Sequence, residues 1–170
     1  MKGPFSVRVT TAENASAVTA LLEASYTRLL PEDYERGVLA KALPLLTRAN
    51  SELLAAGTFY VAQSETGQLV GCGGWSKWRP GSHETSPGMA YIRHFATHPD
   101  WLRRGIGRVL LARCLQDSRE QGAQILECHS SFGAVKFYEA CGFVVVRPIE
   151  MQLTVDISLP GKLMRFKFSD

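Results

Sequence analysis

The chain has 170 residues, 45% of them hydrophobic and 21% charged, with a formal charge of +3. That is long enough to bury a core without disulfide or metal staples, and it is expected to form a single domain over 1–170. So mild a positive balance gives no case for nucleic acid or an anionic membrane surface as partner, and no apolar run approaches the roughly 18 residues of a membrane span. A cytoplasmic location is therefore the default expectation.

The opening "MKGPFSVRVT" alternates Phe5, Val7 and Val9 with polar residues, which predicts a strand. Thr10 with Glu13 three residues on spells a capping box for a helix that carries Val18, Leu21, Leu22 and Ser25 on one face. A second helical zone is expected from Asp33 to Leu54, broken near Pro44. "TFYVAQ" and "QLVGCGGW" flank "SETG" and read as a hairpin, and Ser76–Gly88 reads as a loop of functional-lid length. "MAYIRHFATHP" is a strand by its aromatic content. A helix from Gly105 to Gln121 follows, with Ile106, Val109, Leu110 and Cys114 on one side and Gly122 to end it. "QILECHS" is a strand and "FGAVKFYEACGF" a short helix ended by Gly142, with Ala134, Phe137, Tyr138 and Cys141 on one face. The tail offers three strand-like pieces: "FVVVR", the strictly alternating "MQLTVDI", and "LMRFKF". The order predicts a mixed α/β sheet.

Cys72, Cys114, Cys128 and Cys141 are scattered without CxxC or metal-finger spacing, so reduced structural thiols are expected. Cys128 adjoins His129, but neighbours along a strand point to opposite faces and cannot readily share a site. His94 and His98 stand four apart, which unites faces on a helix; on a strand ending at Pro99 no metal site is expected.

"WLRRGIGRVLL" places Gly105 and Gly107 in a strand-to-helix turn. Such a turn exposes backbone N–H groups without intrahelical partners at the positive end of the helix dipole, which suits an anion, and Arg103, Arg104 and Arg108 add full charges. A plain tight turn with surface arginines fits the glycines equally well. A dinucleotide fingerprint would need a further glycine where Leu110 stands, and a P-loop would need Gly-Lys-Ser/Thr.

Taken together, "FATHPDWLRRGIGRVLL" and the downstream "AVKFYEACGF" resemble the GNAT family, the Gcn5-related N-acetyltransferases. The two motifs span roughly Ala90 to Phe143, and the order of flanking elements extends the likeness over nearly the whole chain. The resemblance implies a mostly antiparallel twisted sheet flanked by helices, with a splayed central strand pair. It implies acetyl-CoA as acyl-donor cosubstrate and a small-molecule or peptide amine as acceptor, with no metal. Residues Arg103, Arg104, Gly105, Ile106, Gly107 and Arg108 would bind the pyrophosphate through main-chain N–H groups. The backbone of Phe95, Ala96 and Thr97 would meet the pantetheine arm, and an N–H there would polarise the thioester carbonyl. Tyr138, which by spacing alone reads first as a core aromatic, would by the resemblance be the general acid toward the leaving thiolate.

Three positions depart from the family pattern. Leu102 stands where the signature prefers Gln or Arg, which matters little if main-chain donors do the binding. Ser131 replaces an asparagine at the start of the second motif's helix, near the cofactor, and can cap that helix. Tyr91 and Arg93 occupy the positions where members place a glutamate or histidine base. An ammonium must lose a proton before it can attack, so a base is expected elsewhere. The candidates are Glu127 and His129 on the next strand and His83 or Glu84 in the loop, and Glu127 is taken first. Arg93 and Tyr91 could instead recognise an acidic or aromatic part of the acceptor. The alternative to an enzyme is a CoA-binding sensor or interaction module of the same fold, and a homodimer through the C-terminal strands is compatible with either.

Overall fold

The alternation at the start forms strand β1 (Phe5–Val9), whose Phe5 and Val7 pack toward the core. The computed structural model describes residues 3–169, so Met1, Lys2 and Asp170 of the expected 1–170 domain lie outside the described residues. Helix α1 (Ala15–Leu29) buries Val18, Leu21, Leu22 and Ser25, the face expected from the spacing. Its entry is one residue later than expected: Thr11 N–H donates to Asn14 Oδ1 at 2.9 Å, while Thr10 is buried and its hydroxyl donates to the Leu54 carbonyl at 2.9 Å. A residue needed to tie down a distant loop is unavailable as a cap.

Helix α2 (Arg36–Leu46) runs through Pro44 instead of breaking there. Leu39 and Ala42 anchor it in a small cluster with Leu30, Tyr34 and Leu159, and that packing overrides the local cost of the proline. The break comes at Thr47, after which Asn50 caps α3 (Ser51–Ala55) through Leu53 N–H at 3.2 Å.

Strands β2 (Phe59–Ser64) and β3 (Leu69–Ser76) form the expected hairpin, and β4 (Met89–Thr97) follows the 77–88 loop. Helix α4 (Ile106–Glu120), β5 (Ile125–Ser130), α5 (Val135–Ala140), β6 (Val144–Gln152) and β7 (Ser158–Lys167) complete the order. The tail holds two strands, not three: the alternation Met151, Leu153, Val155, Ile157 straddles a turn closed by Leu153 N–H to Ile157 O at 2.8 Å, and Val155 is 93% exposed. Alternation alone cannot distinguish a strand from a hairpin end.

Among the described residues seven strands form one sheet in the order β1-β2-β3-β4-β5-β7-β6. Every neighbouring pair is antiparallel except β4 and β5, which pair in parallel and only over Met89–Tyr91 with Ile125–Glu127. Beyond Tyr91 the two strands part, giving the splayed central pair. One face of the sheet carries α4 and α5 over a core that includes Tyr60, Leu110, Leu126 and Met164; the other carries α1 and α3 over Phe59, Val61 and Cys72.

A bulge on β4 decides which face each site residue meets. Cys72 pairs with Ala96 and Gly74 with Arg93, so two residues, His94 and Phe95, oppose Gly73 alone, and His94 takes a φ of +49°. Uninterrupted alternation would leave Ala96 with Ala90 and Ile92 under α4. The extra residue moves it to the cluster under α1. Gly73 makes this possible, since a Cβ there would lie 2.5 Å from the Phe95 ring. Gly73→Val is expected to destabilise the fold by about 1–3 kcal/mol, the usual cost of overpacking, read as a lower urea midpoint. An unchanged midpoint would contradict the packing described.

Buried acids are expected to make the fold sensitive to alkali. Burial pushes the thiols of Cys72 and Cys128 up to about 12 and raises the phenols of Tyr26, Tyr60 and Tyr138 above their ordinary value. A group whose folded pKa is raised contributes stability that is fully present below its unfolded pKa and is lost as pH climbs through the folded one. With unfolded values of about 8.5 for thiols and about 10 for phenols, stability should hold to about pH 8 and fall steeply from about 9 to 11. Urea midpoints measured across that range check this; a flat profile would contradict it.

Candidate active site

The turn from Trp101 into α4 is built for backbone donors. Arg103 and Gly105 both adopt left-handed conformations, φ +59° and +80°, a turn geometry of the kind that forms anion-binding nests. Gly105 is the N-cap and offers no side-chain bond, and Val109 is the residue whose N–H reaches the Gly105 carbonyl, at 3.0 Å. The amides of Ile106, Gly107 and Arg108 therefore precede the helical ladder. The Arg104 guanidinium stacks over the Trp101 ring, 4.6 Å from its centroid. Leu102 is 43% exposed and lies at the rim of the cleft that Gly107 also lines.

Gly107 has a second duty. A Cβ at this position would stand 3.1 Å from the Phe137 ring, so the glycine also lets α4 and α5 approach each other.

From this turn a cleft of about 370 Å³ runs along the end of β4, between α1 and α5. Phe95, Ala96 and Thr97 form one wall; Leu29 of α1 and Phe137 and Tyr138 of α5 form others. The turn residue Gly107 and the wall residues 95–97 thus border one space, as does Ser131. Ser131 makes no side-chain cap: its carbonyl accepts from Ala134 N–H at 3.2 Å and from the Ser130 hydroxyl at 2.7 Å. The Phe95 carbonyl accepts the Tyr26 hydroxyl at 2.9 Å, which ties α1 to the bulge and occupies one of that carbonyl's lone pairs. Tyr34 does comparable work below the cleft, donating to Pro160 O at 2.7 Å, accepting from Phe132 N–H at 3.2 Å and stacking on Phe132 at 5.2 Å.

A second, smaller chamber of about 140 Å³ adjoins the first and shares Tyr26, Phe95 and Tyr138 with it. His94, Cys128 and His129 also line it. Tyr138 is buried among Phe95, Phe137 and Phe143 in edge-on ring contacts, and burial, then the Cys128 thiol, raises its phenol well above the ordinary value. His94 is pushed down to about 4 by burial and by the Arg93 charge.

The other residues weighed as bases separate. His83 pairs with Glu52 at 3.3 Å on the exposed side of the 77–88 loop, and Glu84 lies in the same loop, both away from the residues that line the two cavities. Arg93 is buried and donates to the Ser76 hydroxyl at 3.1 Å. Glu127 is only 2% exposed. Its Oε2 lies 3.0 Å from His129 Nε2 and its Oε1 accepts Arg165 Nε at 3.0 Å. Burial would raise its carboxyl, but the hydrogen bonds from His129 and Arg165 and the Arg165 charge outweigh that and hold it below the ordinary carboxylate range. Period-two spacing along β5 contains the signal for the Glu127–His129 pair; Arg165 and Tyr26 arrive by register and helix packing that no local pattern announces.

The sequence matches the family model for the acetyltransferase (GNAT) family over residues 19–143. No curated protein matches the chain. Similar solved structures include a GCN5-related N-acetyltransferase from Rhodopseudomonas palustris, 19% identical with a TM-score of 0.73 over 99% of this chain and 98% of that one. Another is the PaiA N-acetyltransferase from Thermoplasma acidophilum in complex with coenzyme A, 14% identical with a TM-score of 0.72 over 98% of this chain and all of that one. A third is a ribosomal-protein-alanine N-acetyltransferase from Escherichia coli, at 14% identity and a TM-score of 0.65 over 98% of this chain and 95% of that one. At such identities these likenesses establish the fold, and the family follows from the match across most of the chain: the protein belongs to the GNAT acetyltransferases.

Proposed function

We propose that the protein is an N-acetyltransferase in which an amine attacks acetyl-CoA directly within a ternary complex. The observation that carries this reading is that Gly107 of the amide-rich turn, Phe95 to Thr97 at the end of β4 and Tyr138 all border one cleft. Acetyl-CoA is the acyl-donor substrate and supplies an activated thioester carbonyl.

The chain's own residues fit it in parts. The amides of Ile106, Gly107 and Arg108, with the nest at Arg103 to Gly105, suit a pyrophosphate. The Arg103 and Arg108 side chains add positive charge there. The apolar walls from Leu29, Phe95 and Phe137 suit the pantetheine arm, with the backbone of Ala96 and Thr97 along it. An N–H from the bulged stretch would stabilise charge growing on the carbonyl oxygen. Tyr138 is assigned as general acid: burial keeps its phenol protonated across the working pH range, so a proton is available when the sulfur leaves.

Release of free CoA thiol, followed against a panel of a polyamine, free amino acids, an aromatic amine and peptide N-termini, tests the reading. The expected result is amine-dependent release with intersecting initial-rate patterns in the two substrates. Parallel patterns would contradict direct attack, and silence across the panel with cofactor binding intact would favour a CoA-binding module. Among the described residues no helix is long and apolar enough to cross a membrane.

A further inference from the structure

Resting on the acyl-transfer reading, we propose that His129 Nδ1 takes the proton from the incoming ammonium, and that Glu127 and Arg165 are positioning residues that fix the imidazole's tautomer.

The assignment follows from which atoms can donate. An ionised carboxylate only accepts hydrogen bonds. Glu127 is buried and clamped from the other side by Arg165, with Nε and the terminal nitrogen both 3.0 Å from Oε1. Its Oε2 contact with His129 Nε2 at 3.0 Å therefore requires the proton to reside on Nε2. In the neutral form of the ring the lone pair is then on Nδ1, and no further hydrogen bond to the ring is present among the described residues. The ring lines the small chamber that meets the larger cleft at Tyr26, Phe95 and Tyr138. A carboxylate fixing one ring nitrogen so that the other can accept a proton is the same division of labour as in hydrolase triads.

Among the titratable groups that line the small chamber, this imidazole is the one suited to take a proton. His94, facing the chamber from β4, is held down at about 4 and is too weak a base. Cys128 on the same strand, Tyr26 from α1 and Tyr138 from α5 are kept neutral by burial. From β7 the facing charge is Arg165, which the Glu127 carboxylate already neutralises.

The protons balance. The ammonium gives one proton to Nδ1, which later releases it to solvent. As the C–N bond forms and the C–S bond breaks, the nitrogen loses a second proton. That second proton replaces the one Tyr138 hands to sulfur, so the products are the amide, the free thiol and one proton in solution.

Two measurements decide the matter. Nitrogen-15 spectra of the histidine-labelled chain should show His129 in the Nε2–H tautomer, and E127Q should convert part of it to Nδ1–H; an Nδ1–H ring in the unaltered protein overturns the proposal. In the thiol-release assay, with acetyl-CoA and whichever of spermidine, lysine or an alanyl peptide reacts fastest, H129Q should lower kcat at least 100-fold at pH 7. That deficit should shrink as pH approaches the amine's own pKa, with acetyl-CoA affinity within twofold of the unaltered protein. A merely structural role would leave the deficit independent of pH, and that result, or an unchanged rate, overturns the proposal. Should the unaltered protein release no thiol with any amine, the acyl-transfer reading itself fails, whatever tautomer the spectra show.

Discussion

Gly107→Glu is expected to abolish measurable acetyl-CoA binding while leaving the chain folded. The residue lies in the first turn of α4, among the amides assigned to the pyrophosphate. A carboxylate placed about 5 Å from one phosphate charge costs about 3 kcal/mol at an effective dielectric of about 20, a factor of at least 100 in affinity before the second phosphate is counted. The new Cβ also presses on the Phe137 ring from 3.1 Å, which narrows the cleft. Folding should survive, because a negative side chain in the first turn of a helix is favoured by the dipole. Calorimetric titration with circular dichroism as the folding control checks both halves. Tight binding in a folded variant would remove the turn from the cofactor site.

Tyr138→Phe is expected to lower kcat about 100-fold with little change in acetyl-CoA affinity. The ring stays in its cluster with Phe95, Phe137 and Phe143, so packing is kept and only the hydroxyl is lost. A positioned general acid contributes typically 100-fold or more. Because burial raises the phenol, the unaltered enzyme should show no loss of rate from tyrosine ionisation below about pH 10, the ordinary phenol value. Steady-state kinetics of the variant decide the role. An unchanged kcat would remove Tyr138 from the mechanism and leave it the core aromatic that its helical spacing also allows.

Much of this architecture is written locally. The α1 face, the β2–β3 hairpin and the glycine turn into α4 each depend on residues within one element, so spacing and turn chemistry announce them. What escaped local reading depends on distant partners. Pro44 stays helical because Leu39 and Ala42 are anchored elsewhere, and Thr10 abandons its cap to bind Leu54. The β4 bulge is visible only once Gly73 is known to oppose Phe95. The proposed site divides the same way. The turn at 103–108 and Tyr138 are legible from their motifs, whereas the state of Glu127 depends on Arg165, 38 residues away on β7. A buried, doubly bonded carboxylate suits holding an imidazole better than removing a proton from substrate, and only the strand register reveals that it is doubly bonded.

Calorimetric titration of the unaltered protein with acetyl-CoA tests the central claim most directly. The expected result is saturable one-site binding with a micromolar Kd, about −8 kcal/mol, weakened by added salt because charge at the 103–108 turn contributes to it. Absence of binding heat, with no displacement of a fluorescent CoA analogue, at millimolar acetyl-CoA would contradict it.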